Sequence, residues 1–401
     1  MRIITAKYIF IDNEYKENMA IAFNRKIGRI DKLDILKKDF NDAQIIEFQG
    51  EVVIYPGFIN LHTHLEFSAN KATLKLGDFI KWLYSVIENR EELIKELDNN
   101  IIEFAINEML KSGVTTFGAI SSFGADLKAC AEAKQRVIFF NEVIGSNPAM
   151  VDALFSDFKI RLQESMEYKS QKFYPAVAIH SPYAVHPFLI REVLNIAKKE
   201  NLLISTHFLE SPYEREWLES GKGAFREFFQ RFFNTSTPVT TIQEFLNHFK
   251  NIKTLFTHCT QATKDELEFI NNHNHSIIHC PRSNRLLNCG VLDIKEVKNL
   301  LLATDGLSSN YSLSILDELK AALFLHSNIE PNSLALNLIN SITTNAANAL
   351  ELKVGKIQKG YFADFAILRV PDDLKDKEDI PLHSIINSKV EAVFIDGQRV
   401  I

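Results

Sequence analysis

Eight short apolar runs punctuate the chain, at Val52–Leu61, Val114–Ile120, Val137–Val143, Ala176–Ile179, Leu202–Ser205, Thr254–Thr257, Ser276–Ile278 and Leu300–Ala303. The stretches between them carry apolar residues at helical spacing, and strands that alternate with helices pair in parallel. Eight such units predict a closed (β/α)8 TIM-type barrel of the α/β class, a fold that fills about 250 residues. The segment Glu91–Ser112 reads as one helix, with Ile94, Leu97, Ile101, Ala105 and Leu110 near the 3.6-residue period and Gly113 as its stop. Thr263-Lys-Asp-Glu266 reads as a capping box opening another.

The two ends differ from the middle. Residues 1–53 and 354–401 hold short strand-like pieces broken by turns such as Lys359-Gly360 and Asp396-Gly397. They predict a small β-sandwich domain built from both termini, leaving 54–353 to the barrel. The connection Phe208–Phe249 is long and rich in aromatics, with Trp217, Phe225, Phe228, Phe229, Phe232 and Phe233. It reads as an extra helix burying its Phe face, or else as an active-site lid or a dimer contact.

Composition narrows the function. Apolar residues are 46% and charged residues 24% of the 401, the balance of a globular protein. The net charge is −6 with no basic tract, which argues against nucleic acid or an anionic membrane as partner. Cys130, Cys259, Cys280 and Cys289 form no CxxC pair and fit a reducing cytoplasm. The N-terminal stretch reaches Lys7 and Asp12 before an apolar signal region develops, so it reads as a strand, and no later stretch has the apolar length of a membrane helix.

The informative residues are those that end the apolar runs, because barrel strands deliver their C-terminal ends to one face, where chemistry occurs. These ends supply His62, His64, Glu142, His180, His207, His258, His279 and Asp305. A lone histidine at a strand end is ordinarily a structural residue; the convergence of several is not. His62 and His64 are two apart on a strand and face the same side, so both imidazoles can grip one ion. With His207 and Asp305 they form an N3O set suited to one divalent metal, Zn2+ first and Fe2+ second. Such a set leaves a +2 ion net positive, and that lowers the pKa of bound water toward about 7. Glu210, three residues after His207, is the candidate proton shuttle, with a surface helix-capping role as the alternative. His258 would orient or polarise the water together with Asp305, or simply support a ligand. His180 would donate to the substrate, and Glu142 is either a substrate contact or a buried structural acid. No Ser-His-Asp arrangement and no glycine-rich phosphate loop is present.

At these residues the chain resembles the amidohydrolase superfamily, in its branch of deaminases and chlorohydrolases acting on heterocycles. The resemblance runs along nearly the whole chain: Pro56-Gly-Phe-Ile-Asn-Leu-His-Thr-His64, Thr206-His-Phe-Leu-Glu210, His279-Cys-Pro-Arg-Ser-Asn284, Ala303-Thr-Asp-Gly-Leu-Ser-Ser-Asn310, Thr344-Asn-Ala-Ala347 and Gly355-Lys-Ile-Gln-Lys-Gly360 through Asp364. The fourth run ends in His180 where two-metal relatives carry a bridging carbamylated lysine, so the resemblance implies a mononuclear site. His64-Leu-Glu-Phe-Ser-Ala-Asn-Lys71, Gly118-Ala-Ile-Ser121, Phe208-Leu-Glu-Ser211 and Asp305 through Glu318 are most similar to the aminofutalosine deaminases of the futalosine route to menaquinone. That likeness implies hydrolysis of 6-amino-6-deoxyfutalosine to futalosine and ammonia. It further implies metal ligation by His62, His64, His207 and Asp305, proton transfer by Glu210, water activation by His258 with Asp305, and purine contact by His180.

In this reading water attacks C6 of the purine while Glu210 protonates N1, and the tetrahedral carbon expels ammonia. The substrate's benzoate would want a cation, for which Lys71, Arg90, Arg282 and Arg285 are candidates. Ser283, Asn284, Trp82 and Glu88 (or Glu91) are further candidates for substrate contact, against ordinary helix packing and a solvated helix face. Methylthioadenosine, adenosylhomocysteine and guanine deamination, a triazine chlorohydrolase, and a non-catalytic scaffold are the competing readings; a homodimer is compatible with all.

Overall fold

A computed structural model describes residues 1–401. Its central sheet runs β1 (Phe58–Thr63), β2 (Val114–Ser121), β3 (Arg136–Val143), β4 (Phe173–Ile179), β5 (Ile204–Phe208), β6 (Thr254–His258), β7 (Ser276–His279) and β8 (Leu300–Leu302), with spatial order following chain order. From β3 to β8 every neighbouring pair is parallel. Beyond β8, the Asp305 N–H donates to the His62 carbonyl at 3.1 Å, bringing the last strand's exit back to the first strand. The sheet is thus the nearly closed parallel barrel that the eight apolar runs predict. Every residue of β1, β2, β3, β5, β6, β7 and β8 is buried, which is why these strands read as unbroken apolar runs rather than alternating ones.

Two local expectations are corrected. The run Val52–Leu61 is two strands: Val52–Pro56 pairs antiparallel with Phe365–Arg369 outside the barrel, and β1 begins only at Phe58. The break falls at Gly57, where a Cβ would lie 2.1 Å from the Thr115 hydroxyl oxygen. The segment Glu91–Ser112 is also divided, into helices Phe79–Glu96 and Asn99–Lys111. Leu97 is extended there, and the Asp98 carboxylate accepts from the Ile101 N–H at 2.8 Å, so a capping acid interrupts a period that the apolar residues alone would continue. Gly113 takes the left-handed conformation (φ +94°) expected of a stop, and Thr263 forms its full capping box.

By compactness the chain divides into one unit of residues 1–60, 106–117 and 314–401 and another of 61–105 and 118–313. The first holds a four-stranded sheet (Ile27–Asp31, Ala20–Phe23, Arg2–Thr5, Gln44–Glu47) and a six-stranded one (Gln398–Arg399, Lys389–Ile395, Phe365–Arg369, Val52–Pro56, Tyr8–Ile11, Glu14–Glu17). One apolar cluster containing Ile4, Phe23, Ile54, Phe365 and Phe394 draws on both sheets and both termini. We propose 1–53 with 354–401 as the small domain and 54–353 as the barrel domain, with Val52–Pro56 as the hand-over strand.

In the second unit the long connection folds into helices Pro212–Ser220, Ala224–Phe233 and Ile242–Asn247. Phe225, Phe228 and Phe229 are buried, and Trp217 stacks on Phe229 with centroids 5.1 Å apart. At the β1–β2 crossing a Cβ on Gly118 would stand 2.5 Å from the Leu61 carbonyl oxygen. Gly118→Ala is therefore expected to cost about 1–3 kcal/mol, read as a lower urea midpoint at unchanged m-value.

Candidate active site

His62 lies in β1 and His64 one residue past its end, so strand alternation turns both rings to the same side. Their Nε2 atoms are 3.2 Å apart, and His64 Nε2 is also 3.2 Å from Nε2 of His207, on β5. Asp305, three residues past β8, brings Oδ1 to 3.7 Å from His62 Nε2 and 3.6 Å from His64 Nε2. His207 donates its Nδ1–H to the His180 carbonyl at 2.8 Å, which leaves a lone pair on Nε2. A single proton on His64 Nε2 serves one of its two 3.2 Å contacts and leaves the other as lone pair against lone pair. Extra protons are disfavoured: burial, then the neighbouring histidines, pushes His62 and His207 well below the usual imidazole range. Asp305 is held below the ordinary carboxylate range because His64, His62 and His258 outweigh the opposing effect of burial. Three imidazole nitrogens and one carboxylate oxygen converging in this way are a donor set that could hold a divalent cation.

The surrounding chain fixes this set. Asp305 Oδ2 accepts from the hydroxyls of Ser283 at 2.7 Å and Ser309 at 2.9 Å, and Oδ1 accepts from the Gly306 N–H at 2.7 Å. A Cβ on Gly306 would stand 2.7 Å from His64 Cβ, so only glycine lets these two segments meet. His258 (φ +73°) and Asp305 (φ +59°) both sit in the left-handed region, conformations that cost non-glycine residues about 1–3 kcal/mol and gather at functional sites. His258 donates Nδ1–H to Asn284 Oδ1 at 2.8 Å, which leaves its Nε2 3.5 Å from Glu210 Oε1.

Glu210 is buried, and its pKa is pushed well above the usual carboxylate range by burial first and by Asp305 and Glu214 second. Its backbone is held from two sides: Glu214 accepts the N–H groups of Leu209 (2.9 Å) and Glu210 (2.8 Å), and the Thr260 hydroxyl donates to the Glu210 carbonyl (2.7 Å). Glu142 behaves oppositely. Burial would raise it, but His180, whose Nδ1 lies 2.8 Å from Glu142 Oε1, brings it down to about 2. His180 is raised in turn, Glu142 outweighing the burial that would lower it.

Above these groups lies a cavity of about 610 Å3, the size of a site for a drug-like molecule. His64, His180, His207, Glu210, His258 and Asp305 line one end of it. Trp82, Leu83, Val86, Ile87 and Arg90 line it from helix Phe79–Glu96, and Phe228, Phe229 and Phe233 from helix Ala224–Phe233. The aromatic insert therefore packs inward and also walls the cavity.

The residues singled out from sequence separate into three groups. His180, Trp82 and Glu142 line the cavity, although the Trp82 indole N–H is spent on the Ser308 carbonyl at 2.8 Å. Ser283 and Asn284 stand behind the site and hold Asp305 and His258. Glu88 instead lies beside Arg231, 3.5 Å away on the exposed surface, and Arg285 and Lys71 are exposed and outside the cavity lining. Arg282 is buried, with Nη2 donating to the Ser312 carbonyl at 3.0 Å. Glu214, Gly306, Ser309 and Arg161 were not singled out. Ser211-Pro-Tyr-Glu214 carries the spacing of a capping box, and Ser211 does cap the Glu214 N–H (3.2 Å), but the Glu214 carboxylate turns to the Leu209–Glu210 backbone instead.

A model of the amidohydrolase family matches residues 53–400. The chain is 45% identical over 402 residues, covering 100% of this chain and 99% of the other, to an aminodeoxyfutalosine deaminase of a Nitratiruptor species. It is 35% identical over 412 residues, at the same coverage, to an adenosine deaminase of Helicobacter pylori. A crystal structure of Helicobacter pylori aminofutalosine deaminase in complex with methylthio-coformycin superposes with a TM-score of 0.94 at 35% identity, over 100% of both chains.

Ser283→Ala frees one oxygen of Asp305 from a hydroxyl donor. It is expected to weaken divalent-metal affinity by about 10–100-fold in a competitive chelator titration, the usual cost of removing a ligand's outer support.

Proposed function

We propose, from the premise that the chain belongs to the amidohydrolase family, that it is a metal-dependent hydrolytic deaminase of an aminopurine nucleoside, 6-amino-6-deoxyfutalosine, which it converts to futalosine and ammonia for menaquinone biosynthesis. One observation carries the reaction type: Glu210, a buried carboxyl whose pKa is pushed well above the usual range, stands beside three converging imidazoles and a carboxylate at one end of a cavity. The substrate rests on the full-length likeness to the Nitratiruptor aminodeoxyfutalosine deaminase.

His62, His64, His207 and Asp305 would hold one divalent ion, Zn2+ or Fe2+. When bound, that ion supplies the positive charge that acidifies water toward a pKa of about 7. His258, anchored through Nδ1 on Asn284, presents Nε2 to the same space and with Asp305 orients the attacking water. Glu210 Oε1, 3.5 Å from that nitrogen, delivers its proton to purine N1 as oxygen adds to C6, so the ring accepts the electron pair without building negative charge. Glu210 then takes one proton from the added oxygen and passes it to the departing amino group, which leaves as ammonia, and takes the oxygen's second proton as the C6 carbonyl forms, which restores its protonated state. His180, which Glu142 pushes toward its protonated form against the opposing effect of burial, donates to the purine from the side. Trp82 and the Phe228–Phe229 wall cover the ring and keep bulk water out.

No helix is long and apolar enough to cross a membrane, and the four cysteines are unpaired and buried, which supports a cytoplasmic enzyme. The methylthio-coformycin complex of the Helicobacter protein favours methylthioadenosine as a second substrate reading.

Ammonia release from 6-amino-6-deoxyfutalosine, methylthioadenosine, adenosylhomocysteine, adenosine and guanine distinguishes these readings. The highest kcat/KM is expected on 6-amino-6-deoxyfutalosine, with activity lost on chelation. A higher value on methylthioadenosine would move the substrate assignment to that nucleoside. Glu210→Gln is expected to lower kcat by about 10²–10⁴-fold while the protein keeps its metal content, measured alongside by elemental analysis.

A further inference from the structure

Helix Phe79–Glu96 offers the cavity one continuous face: Trp82, Leu83, Val86, Ile87 and Arg90 follow the helical repeat. Its near end is tied to the catalytic floor, because the Trp82 indole donates at 2.8 Å to the carbonyl of Ser308, in the segment that follows Asp305. Eight residues at about 1.5 Å each place Arg90 about 12 Å farther along. Val86 and Ile87 on this helix and Phe228, Phe229 and Phe233 on the other give the cavity an apolar wall, while Ser146 and Asn147 line it elsewhere.

Two guanidinium groups line the cavity, Arg90 and Arg161. Arg161 is committed to the protein: Nε donates to Asp157 at 2.9 Å and Nη2 to the Glu142 carbonyl at 2.9 Å, so its charge is already met and its geometry fixed. Arg90 is exposed and forms no hydrogen bond or ion pair within the chain. A guanidinium left without a partner, at the far end of an apolar slot that starts at a proton-donating carboxyl, is suited to bidentate capture of a carboxylate.

We infer that Arg90 is the specificity-determining residue for an anionic aryl group at the end of the substrate remote from the reacting ring. The inference rests on the proposed substrate, whose benzoate lies across the ribose from the amino-bearing purine. It selects one of the four cations that the sequence offered, since Lys71 and Arg285 lie outside the cavity lining and Arg282 donates to the Ser312 carbonyl. The apolar stretch takes the aryl ring, and Arg90 meets the carboxylate at the mouth, where a neutral nucleoside has nothing to offer it.

The test compares 6-amino-6-deoxyfutalosine with its benzoate methyl ester on wild-type enzyme, Arg90→Gln, Arg90→Lys and Arg161→Gln, each checked for folding by thermal melting. The wild-type protein is expected to favour the acid over the ester by at least about tenfold in kcat/KM, carried by KM, as a charge-assisted pair at a partly open site warrants. In Arg90→Gln the ratio is expected to fall toward one, with Arg90→Lys between. A ratio that persists in Arg90→Gln, or that collapses in Arg161→Gln instead, overturns the assignment of Arg90. If the wild-type enzyme turns over neither compound, the substrate reading itself falls, and Arg90's role with it.

Discussion

Three imidazole nitrogens with their lone pairs turned inward, and a carboxylate oxygen within 3.7 Å of two of them, are the constraint around which this barrel is built. In water such groups would take up protons or move apart. Here burial disfavours protons on His62 and His207, and the chain withholds the motion. The His180 carbonyl fixes which nitrogen of His207 carries hydrogen, two serine hydroxyls clasp Asp305, and Gly306 lets the Asp305 loop close on His64. His258 and Asp305 keep left-handed backbone conformations that an isolated chain would leave. Strain of this kind persists only where the surroundings over-determine it, and the parallel barrel supplies those surroundings by bringing its strand ends around one point.

The same site separates two carboxyl groups by environment alone. Glu142 meets His180 and is held low, while burial, and then Asp305 and Glu214, push Glu210 well above the usual carboxylate range. Opposite protonation of neighbouring acids is how a site assigns one to donate and the other to hold charge. In the proposed reaction Glu210 moves the proton and Glu142 pushes His180 toward the protonated form that would face the purine. In that proposal the end lined by His64, His207 and Asp305 carries the chemistry and the apolar slot the recognition.

The barrel and the convergence of its polar strand ends were legible because both follow from one-dimensional patterns: a buried parallel strand is a short apolar run, and the residue after it points to the active face. What was not legible required distances between residues far apart in sequence. Nothing local divides Val52–Leu61 except Pro56-Gly57, yet the two halves serve different sheets. Asp98 interrupts a helix whose apolar period continues past it. Glu214 carries a capping-box spacing but spends its side chain on the backbone of Glu210. Glu88, Arg285 and Lys71 share residue type and neighbourhood with ligand contacts, and only the path of the chain shows that they lie outside the cavity lining. Residue type makes Ser283 and Asn284 candidates for substrate contact; they stand one layer back, holding Asp305 and His258.

Anomalous scattering at a metal absorption edge, in crystals of the protein grown with its native metal, tests the central claim directly. One peak per chain is expected, within coordination distance of Nε2 of His62, His64 and His207 and of Oδ1 of Asp305. A second peak bridged to the first, or a single peak among Glu142, His180 and His207 instead, would contradict the account.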